Sequence, residues 1–435
     1  MALPTPDQLK IDTLGEAKIA SPIANVGFVP DECRILATAD TLRLQPYFDR
    51  GDPLPCFERA GPRERVFFDP SRLVCGIVTC GGLCPGLNDV IRSIVLTLKH
   101  MYGVDRVLGF RFGYAGLGRE PLAPPMMLEP RVVRDIHNEG GTILGTSRGP
   151  QEVSTMVDTL ERHGVGILFT IGGDGTLRGA QAIAEEVRRR GSAISVVGIP
   201  KTIDNDLQWT TRSFGFATAV DEAQRSLTGA HAEAIGAWNG IGLVKLMGRH
   251  SGFIAAHATL SSSDVNFCMV PEVPFSLDGE AGFLSVLERR IESRHHAVVV
   301  VAEGAGQELV EREGPPDRDA SGNVKLVDIG SFLKQRIEQH FRSRSIDVSI
   351  KYIDPSYTIR SLRANPTDSE FCLVLGQHAV HAGMSGRTNL VVGHWNQSFV
   401  HVPIELSTTA RRNIDPHGDL WRSVLHTTGQ PANMG

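Results

Sequence analysis

Two acids stand one residue apart in PKTIDNDL, Asp204 and Asp206, and a third, Asp174, lies among Gly172, Gly173 and Gly175 in IGGDGTLRGA. A carboxylate can accept the proton of a hydroxyl as that hydroxyl attacks a phosphoryl group, which gives the DND pair a chemical reading. In an extended stretch Asp204 and Asp206 project to the same side; in a turn they diverge, and the pair can instead close a loop as Asx-turn residues. Among backbone amides suited to phosphate, Asp174 would repel the phosphates unless a cation lay between, so it reads as a Mg²⁺ ligand, direct or through water. Its competing reading is a helix N-cap, with Thr176 opening the helix. A further glycine cluster, CGGLCPGLN, sets Gly81, Gly82 and Gly86 where backbone can approach a ligand, and Pro85 and Asn88 suit the helix start, whose N–H groups attract anions. The bland alternative is a tight turn. Arg148 in GTSRGP and Arg249 in MGRHSG each adjoin glycine, Glu303 closes VVVVAEG, and Arg360 follows an aromatic-containing stretch in YIDPSYTIR. Guanidinium forks at such places recognise phosphate, although a lone arginine is usually a solvated surface group.

These groups need elements to hold them. LVCGIVTC before CGGLCPGLN, GVGILFTI before GGDGT, and AISVVGIP before KTIDND are apolar runs with strand character, and helical spacing follows in VIRSIVLTLKH and RGAQAIAEEVRRR. Further strands are expected in IGLVKLMGR and HHAVVVVAEG, and helices around 221–227 and 329–342. Apolar strands alternating with helices mean a parallel sheet covered on both faces, with ligands beyond the strands' carboxyl ends, where each glycine or acidic cluster falls. Residues 1 to about 70 have weak periodicity and read as an extension packed on a later domain. EREGPPDRDASGN reads as a surface loop.

Composition narrows the class. At 435 residues the chain exceeds one ordinary core, so two lobes are expected. A formal charge of -5, from 44 basic and 49 acidic side chains, offers no bulk attraction to nucleic acid or an anionic membrane. No apolar run reaches membrane-spanning length, no secretory leader pattern opens the chain, and ANMG at the end is no peroxisomal address. Seven cysteines without a CxxC pair suit a reduced, cytoplasmic setting, and Cys80 and Cys84 read as packing residues.

In order, GGLCPGLN, GTSRGP, GGDGT, PKTIDND, MGRHSG, PEVPF and SYTIR resemble the 6-phosphofructokinase family across roughly residues 73–430. The resemblance implies an α/β fold of two doubly wound Rossmann-like lobes with the active site in the cleft between them, plus an N-terminal extension. The expected division is 1–72 for the extension, 73–215 with 359–410 for the nucleotide lobe, and 216–358 with 411–435 for the fructose 6-phosphate lobe. It implies phosphoryl transfer, in glycolysis, from ATP or pyrophosphate to the 1-hydroxyl of fructose 6-phosphate, with Mg²⁺, in a homo-oligomer, dimer or tetramer. By match, Asp204 is the base, with Thr202 and Asp206 its neighbours; Asp174 is linked to Mg²⁺; Gly81, Gly82, Gly173, Gly175, Thr176 and Gly179 line the nucleotide. Arg148 and Arg249 surround the transferring phosphoryl group. Met247, Gly248, Glu303, Lys351, Tyr357 and Arg360 match the sugar-phosphate pocket.

Gly175 stands where pyrophosphate-dependent members carry Asp, which favours ATP, whereas Lys201 is the pyrophosphate-type residue. That pairing resembles the ATP-dependent branch of plants and trypanosomatids. Bacterial enzymes lend arginines from a neighbouring subunit; the matching positions here are Gly240 and Lys351, and Lys245 is a candidate substitute for the charge missing at Gly240. Two rivals remain open: another kinase with a GGDGT loop, which lacks the sugar-phosphate motifs, and a non-catalytic sugar-phosphate-binding regulatory subunit, which should lack Asp204 or Asp174.

Overall fold

Strands Val74–Thr79 and Ser195–Pro200 are buried at every residue, and Val165–Gly172 at all but one. Burial on both faces is why these runs are continuously apolar and do not alternate. The computed structural model describes residues 3–24, 26–310, 317–318 and 324–435. The chain divides into two compact units, the residues up to Gly215 with Ser361–Ala410, and Phe216–Arg360 with Arg411–Gly435.

The first unit is built on a nine-stranded sheet. Its middle is parallel, in the order Leu390–Trp395, Ser195–Pro200, Val165–Gly172, Val74–Thr79, Arg106–Phe110. One face is covered by Leu87–Thr97 and Pro366–Met384, which pack on each other; the other by Val153–Arg162 and Asp174–Arg190, whose Val157, Leu160, Leu177 and Ile183 join Val78, Leu168 and Val196 in one core. That is a doubly wound sheet.

The residues before 73 do more than pack against this sheet. Cys56–Arg59 pairs antiparallel with Ser398–Pro403, and Arg34–Leu36 pairs antiparallel with Cys56–Arg59, so the segment extends the sheet itself. Phe57 is fully buried with Trp209, Val400 and Val402. Glu58 fixes the register electrostatically, bonding His401 Nδ1 at 2.8 Å, Arg63 Nη2 at 3.1 Å, and Arg387. Burial alone would raise the Glu58 pKa, but His401 and Arg387 outweigh it and hold the carboxyl well below the usual carboxylate range.

The second unit carries a four-stranded, wholly parallel sheet in the order Phe267–Met269, His296–Ala302, Gly240–Leu246, Ser349–Ile353. Helices Phe283–Arg294 and Ile329–Ser343 bury Phe283, Leu287, Leu333 and Ile337 against one face. Helix Phe216–Ile235 runs well beyond the expected 221–227, because Ala219, Ala223, Ala230 and Ala234 continue its small-residue face. Of the surface loop expected at 311–323, only 317–318 lie within the described residues, and Arg318 forms an antiparallel bridge with Val324. No described helix is long and apolar enough to cross a membrane.

Candidate active site

In the first unit the register aligns Thr79 with Ile171 and Gly172 with Pro200, so three neighbouring strands end together. The loops that leave them are laced by backbone. Cys80 N donates to Ile171 O at 3.0 Å, Gly81 N to Ser147 O at 3.2 Å, and Lys201 N to Gly172 O at 2.9 Å. Thr146 Oγ1 donates to Gly81 O at 2.5 Å. The Lys201 ammonium, buried, donates to Gly82 O at 2.6 Å. A Cβ on Gly82 would stand 3.6 Å from Arg148 Nη2. Gly81, Gly82, Arg148, Gly173 and Lys201 therefore form one cluster.

Two expectations about helix starts change. Helix Leu87–Thr97 is preceded by Gly86 at φ 100°, where a Cβ would lie 2.6 Å from Cys372 Sγ, so glycine is required. Asn88 does not cap it; its side chain accepts from Ile143 N at 3.0 Å and donates to Glu139 O at 3.1 Å, tying the start of this helix to the 139–143 loop. Helix Asp174–Arg190 begins at Asp174, before Thr176, with Gly173 as its N-cap, so Asp174 sits inside the first turn and the N-cap reading falls. Its carboxylate is half-buried at the positive end of the helix. Gly175 is exposed, and a Cβ there would meet nothing within 4 Å. Behind this turn Tyr114 donates to Thr176 O at 2.6 Å, and its ring lies where a Cβ on Gly179 would be 2.6 Å away. Burial also pushes the Cys80 thiol up to about 12, in keeping with a packing residue.

Residues 202–206 form a turn with Asn205 at φ 54°, so the stretch is not extended and the turn reading of the two acids holds. Thr202 Oγ1 donates to Asp206 Oδ1 at 2.8 Å and accepts from Asp204 N at 3.2 Å. Asn205 accepts from Ser213 N at 2.8 Å and donates to Thr211 O at 3.2 Å. Asp206 is 1% exposed and serves the turn, whereas Asp204 is half-buried.

In the second unit Met247, Gly248 and Arg249 follow strand Gly240–Leu246 directly. Glu303 N donates to Leu246 O at 2.8 Å and Gly304 N to Gly248 O at 3.0 Å, which sets Glu303 beside that loop. Gly248 has φ 131°, and a Cβ there would be 2.5 Å from Ser251 O. Tyr357 and Arg360 lie on the short helix Ser356–Ser361, past the end of strand Ser349–Ile353.

Two lysines of this unit take separate places. Lys351 is in register with Gly242, about 16 Å by strand rise before Met247, and its ammonium is 4.0 Å from Glu233. It is not part of the Met247–Arg249 group of its own unit. Lys245 is no spare cation: its ammonium is 3.1 Å from Asp328 and 2.8 Å from Asp354. Burial disfavours its charge, but these acids outweigh burial and raise its pKa. Sequence reading also missed Tyr114, which carried no signal, and Glu272, which lay unremarked in PEVPF.

A model of the phosphofructokinase family matches residues 74–383. The chain belongs to that family. It is 48% identical over 435 residues to an ATP-dependent 6-phosphofructokinase of Borreliella burgdorferi, covering 98% of this chain and 97% of the relative, extension included. A Trypanosoma cruzi ATP-dependent 6-phosphofructokinase is 52% identical, over 86% of this chain and 77% of its own. Among solved structures, a pyrophosphate-dependent phosphofructokinase of Marinobacter aquaeolei superposes with a TM-score of 0.68 over 82% of this chain and 91% of that one, at 21% identity, a likeness of fold.

Proposed function

We propose that this phosphofructokinase is ATP-dependent, moving the γ-phosphoryl group of ATP to the 1-hydroxyl of fructose 6-phosphate and releasing fructose 1,6-bisphosphate and ADP. The observation that carries the reading is the meeting of the Asp174 turn and the Thr202–Asp206 turn at adjacent strand ends, Gly172 being in register with Pro200. In-line phosphoryl transfer needs an acid linked to the metal and a base held near it. The identities of 48% and 52% to relatives named for ATP support the donor.

Asp204 takes the 1-hydroxyl proton as the sugar oxygen bonds to the γ-phosphorus and the bond to the leaving ADP oxygen breaks. Asp206 acts through Thr202, fixing the turn that aims Asp204. Arg148 and Arg249 neutralise charge on the transferring group, and the amides of Gly81, Gly82 and the Gly173–Thr176 turn receive the nucleotide phosphates, with Gly179 close behind. Met247, Gly248, Glu303, Tyr357 and Arg360 hold fructose 6-phosphate. Among the described residues no cluster of three or more acids, histidines or cysteines could cage a metal. Mg²⁺ uses one or two carboxylates together with substrate phosphates and water; Asp174, in the first turn of its helix, would hold it here, and the ion would supply charge neutralisation at the phosphates.

The open space at Gly175 leaves room for a nucleotide, and the bond from Lys201 to Gly82 O gives that lysine a supporting task compatible with ATP. Lys351, exposed on an edge strand, suits a charge offered to a second copy of the chain in a dimer or tetramer. All seven cysteines are free thiols, which supports a reducing, cytoplasmic setting. A coupled assay of fructose 1,6-bisphosphate formation with Mg²⁺ and either ATP or pyrophosphate tests the assignment. Turnover with pyrophosphate alone would overturn the donor, and none with either would revive a regulatory subunit.

A further inference from the structure

The loop Met247–Ser251 is tied at its near end to Glu303 and Gly304. Its far end runs into helix Phe253–Ser262, whose N-cap, Gly252, has no capping side chain of its own. Glu272, from the loop after strand Phe267–Met269, supplies the missing partner. Gly252 N donates to Glu272 Oε1 at 3.1 Å and Oε2 at 3.0 Å. A glutamate bonded to an N-cap amide is half of a capping box, here provided by a residue outside the helix. The approach needs glycine at 252, where a Cβ would fall 2.2 Å from Val270 Cγ1 and 3.2 Å from Glu272 Oε2.

The same carboxylate reaches the segment by which the chain re-enters this unit at Arg411. Ile414 N donates to Glu272 Oε1 at 2.9 Å, Ile414 is buried, and the Arg412 guanidinium lies 5.3 Å from the Phe253 ring centroid. One carboxylate thus joins the far end of the Arg249 loop to the returning strand of chain, and carboxylate bonds to amides are among the stronger hydrogen bonds.

We infer that Glu272 is a positioning residue for fructose 6-phosphate, holding the Met247–Gly252 loop, and with it Met247 and Gly248, through Gly252 and strapping it to Arg412–Ile414. This rests on the reading of that loop as the sugar-phosphate site. Glu272→Gln replaces one acceptor oxygen by an NH₂ group facing N–H donors, so at least one of the three bonds is lost while side-chain size is kept. In the full chain, wild type and Glu272→Gln are compared for the KM of each substrate, kcat, and amide hydrogen exchange at Gly252 and Ile414.

The expected result is a KM for fructose 6-phosphate raised about tenfold, a KM for ATP within twofold, and exchange at both amides at least tenfold faster. A folded variant with unchanged KM for fructose 6-phosphate overturns the inference, as does an equal rise in both KM values, which would mark a general structural role. If Glu272→Gln fails to fold, Arg412→Met is used, which takes the cation from the Phe253 ring and leaves the Glu272 bonds in place. It should raise the KM for fructose 6-phosphate two- to threefold, and no change would again overturn the inference. Wild type without turnover on either donor would instead remove the functional reading and the inference with it.

Discussion

Gly175→Asp separates donor chemistry from folding. The position lies in the first turn of helix Asp174–Arg190, its backbone is outside the left-handed region, and a Cβ meets no atom within 4 Å. An aspartate therefore fits without steric cost, and at a helix N-terminus it should stabilise by about 0.3–1 kcal/mol. Its charge would face the nucleotide phosphates. At a separation of about 6 Å and an effective dielectric of about 20, one unit charge opposes another by roughly 3 kcal/mol, about a hundredfold in kcat/KM. The assay is fructose 1,6-bisphosphate formation against ATP concentration, with thermal unfolding measured alongside. We expect kcat/KM for ATP to fall about a hundredfold or more while Tm stays level or rises slightly. Unchanged ATP kinetics would refute the placement of the nucleotide phosphates near residue 175; a large fall in Tm would refute the account of the space there.

Other expectations follow from the same geometry. Asp204→Asn should lower kcat by several orders of magnitude with little change in either KM, and near wild-type kcat in steady-state assays would take the base role from Asp204. Tyr114→Phe deletes the bond to Thr176 O, so calorimetry should record about 1 kcal/mol of lost stability and kinetics a severalfold higher KM for ATP alone. Lys201→Met leaves Gly82 O without its ammonium partner, at about 1–3 kcal/mol in denaturant unfolding; an unchanged midpoint would deny Lys201 its supporting task. The depressed pKa of Glu58 stabilises the fold fully above the ordinary glutamate value of about 4.3 and loses that contribution as pH falls below it. Glu58→Gln should therefore lower Tm at pH 7 and flatten the acid limb of the Tm–pH curve, and an unaltered acid limb would assign acid unfolding to other groups.

The central strands and their glycine-rich exits were legible because a strand buried on both faces writes a continuous apolar run, and the loop after it must be small or polar. Asp174, Asp204 and the glycines could be located for that reason. Which of the two arrangements the DND pair takes, extended or turned, is left open by the sequence, since it depends on Asn205 being held by Ser213 and Thr211. Nor were the strands Arg34–Leu36 and Cys56–Arg59, too short to show a period, and ordered by pairing with the distant Ser398–Pro403. Lys351 reads as a matching position of the sugar-phosphate site and Lys245 as a substitute for the charge missing at Gly240; the ion pairs of Lys245 with Asp328 and Asp354, and the register of Lys351 with Gly242, depend on strand pairing that a sequence does not display. Glu272 was hidden because its partners are backbone amides, which no pattern of side chains reveals.

The most direct test of the central claim is ³¹P NMR of the purified chain with Mg²⁺, fructose 6-phosphate and either ATP or pyrophosphate. With ATP, the γ-phosphorus resonance should be replaced by a new phosphomonoester at carbon 1 of fructose 1,6-bisphosphate, in step with ADP formation. Transfer from pyrophosphate but not from ATP, or phosphate appearing only as the free ion, would contradict it.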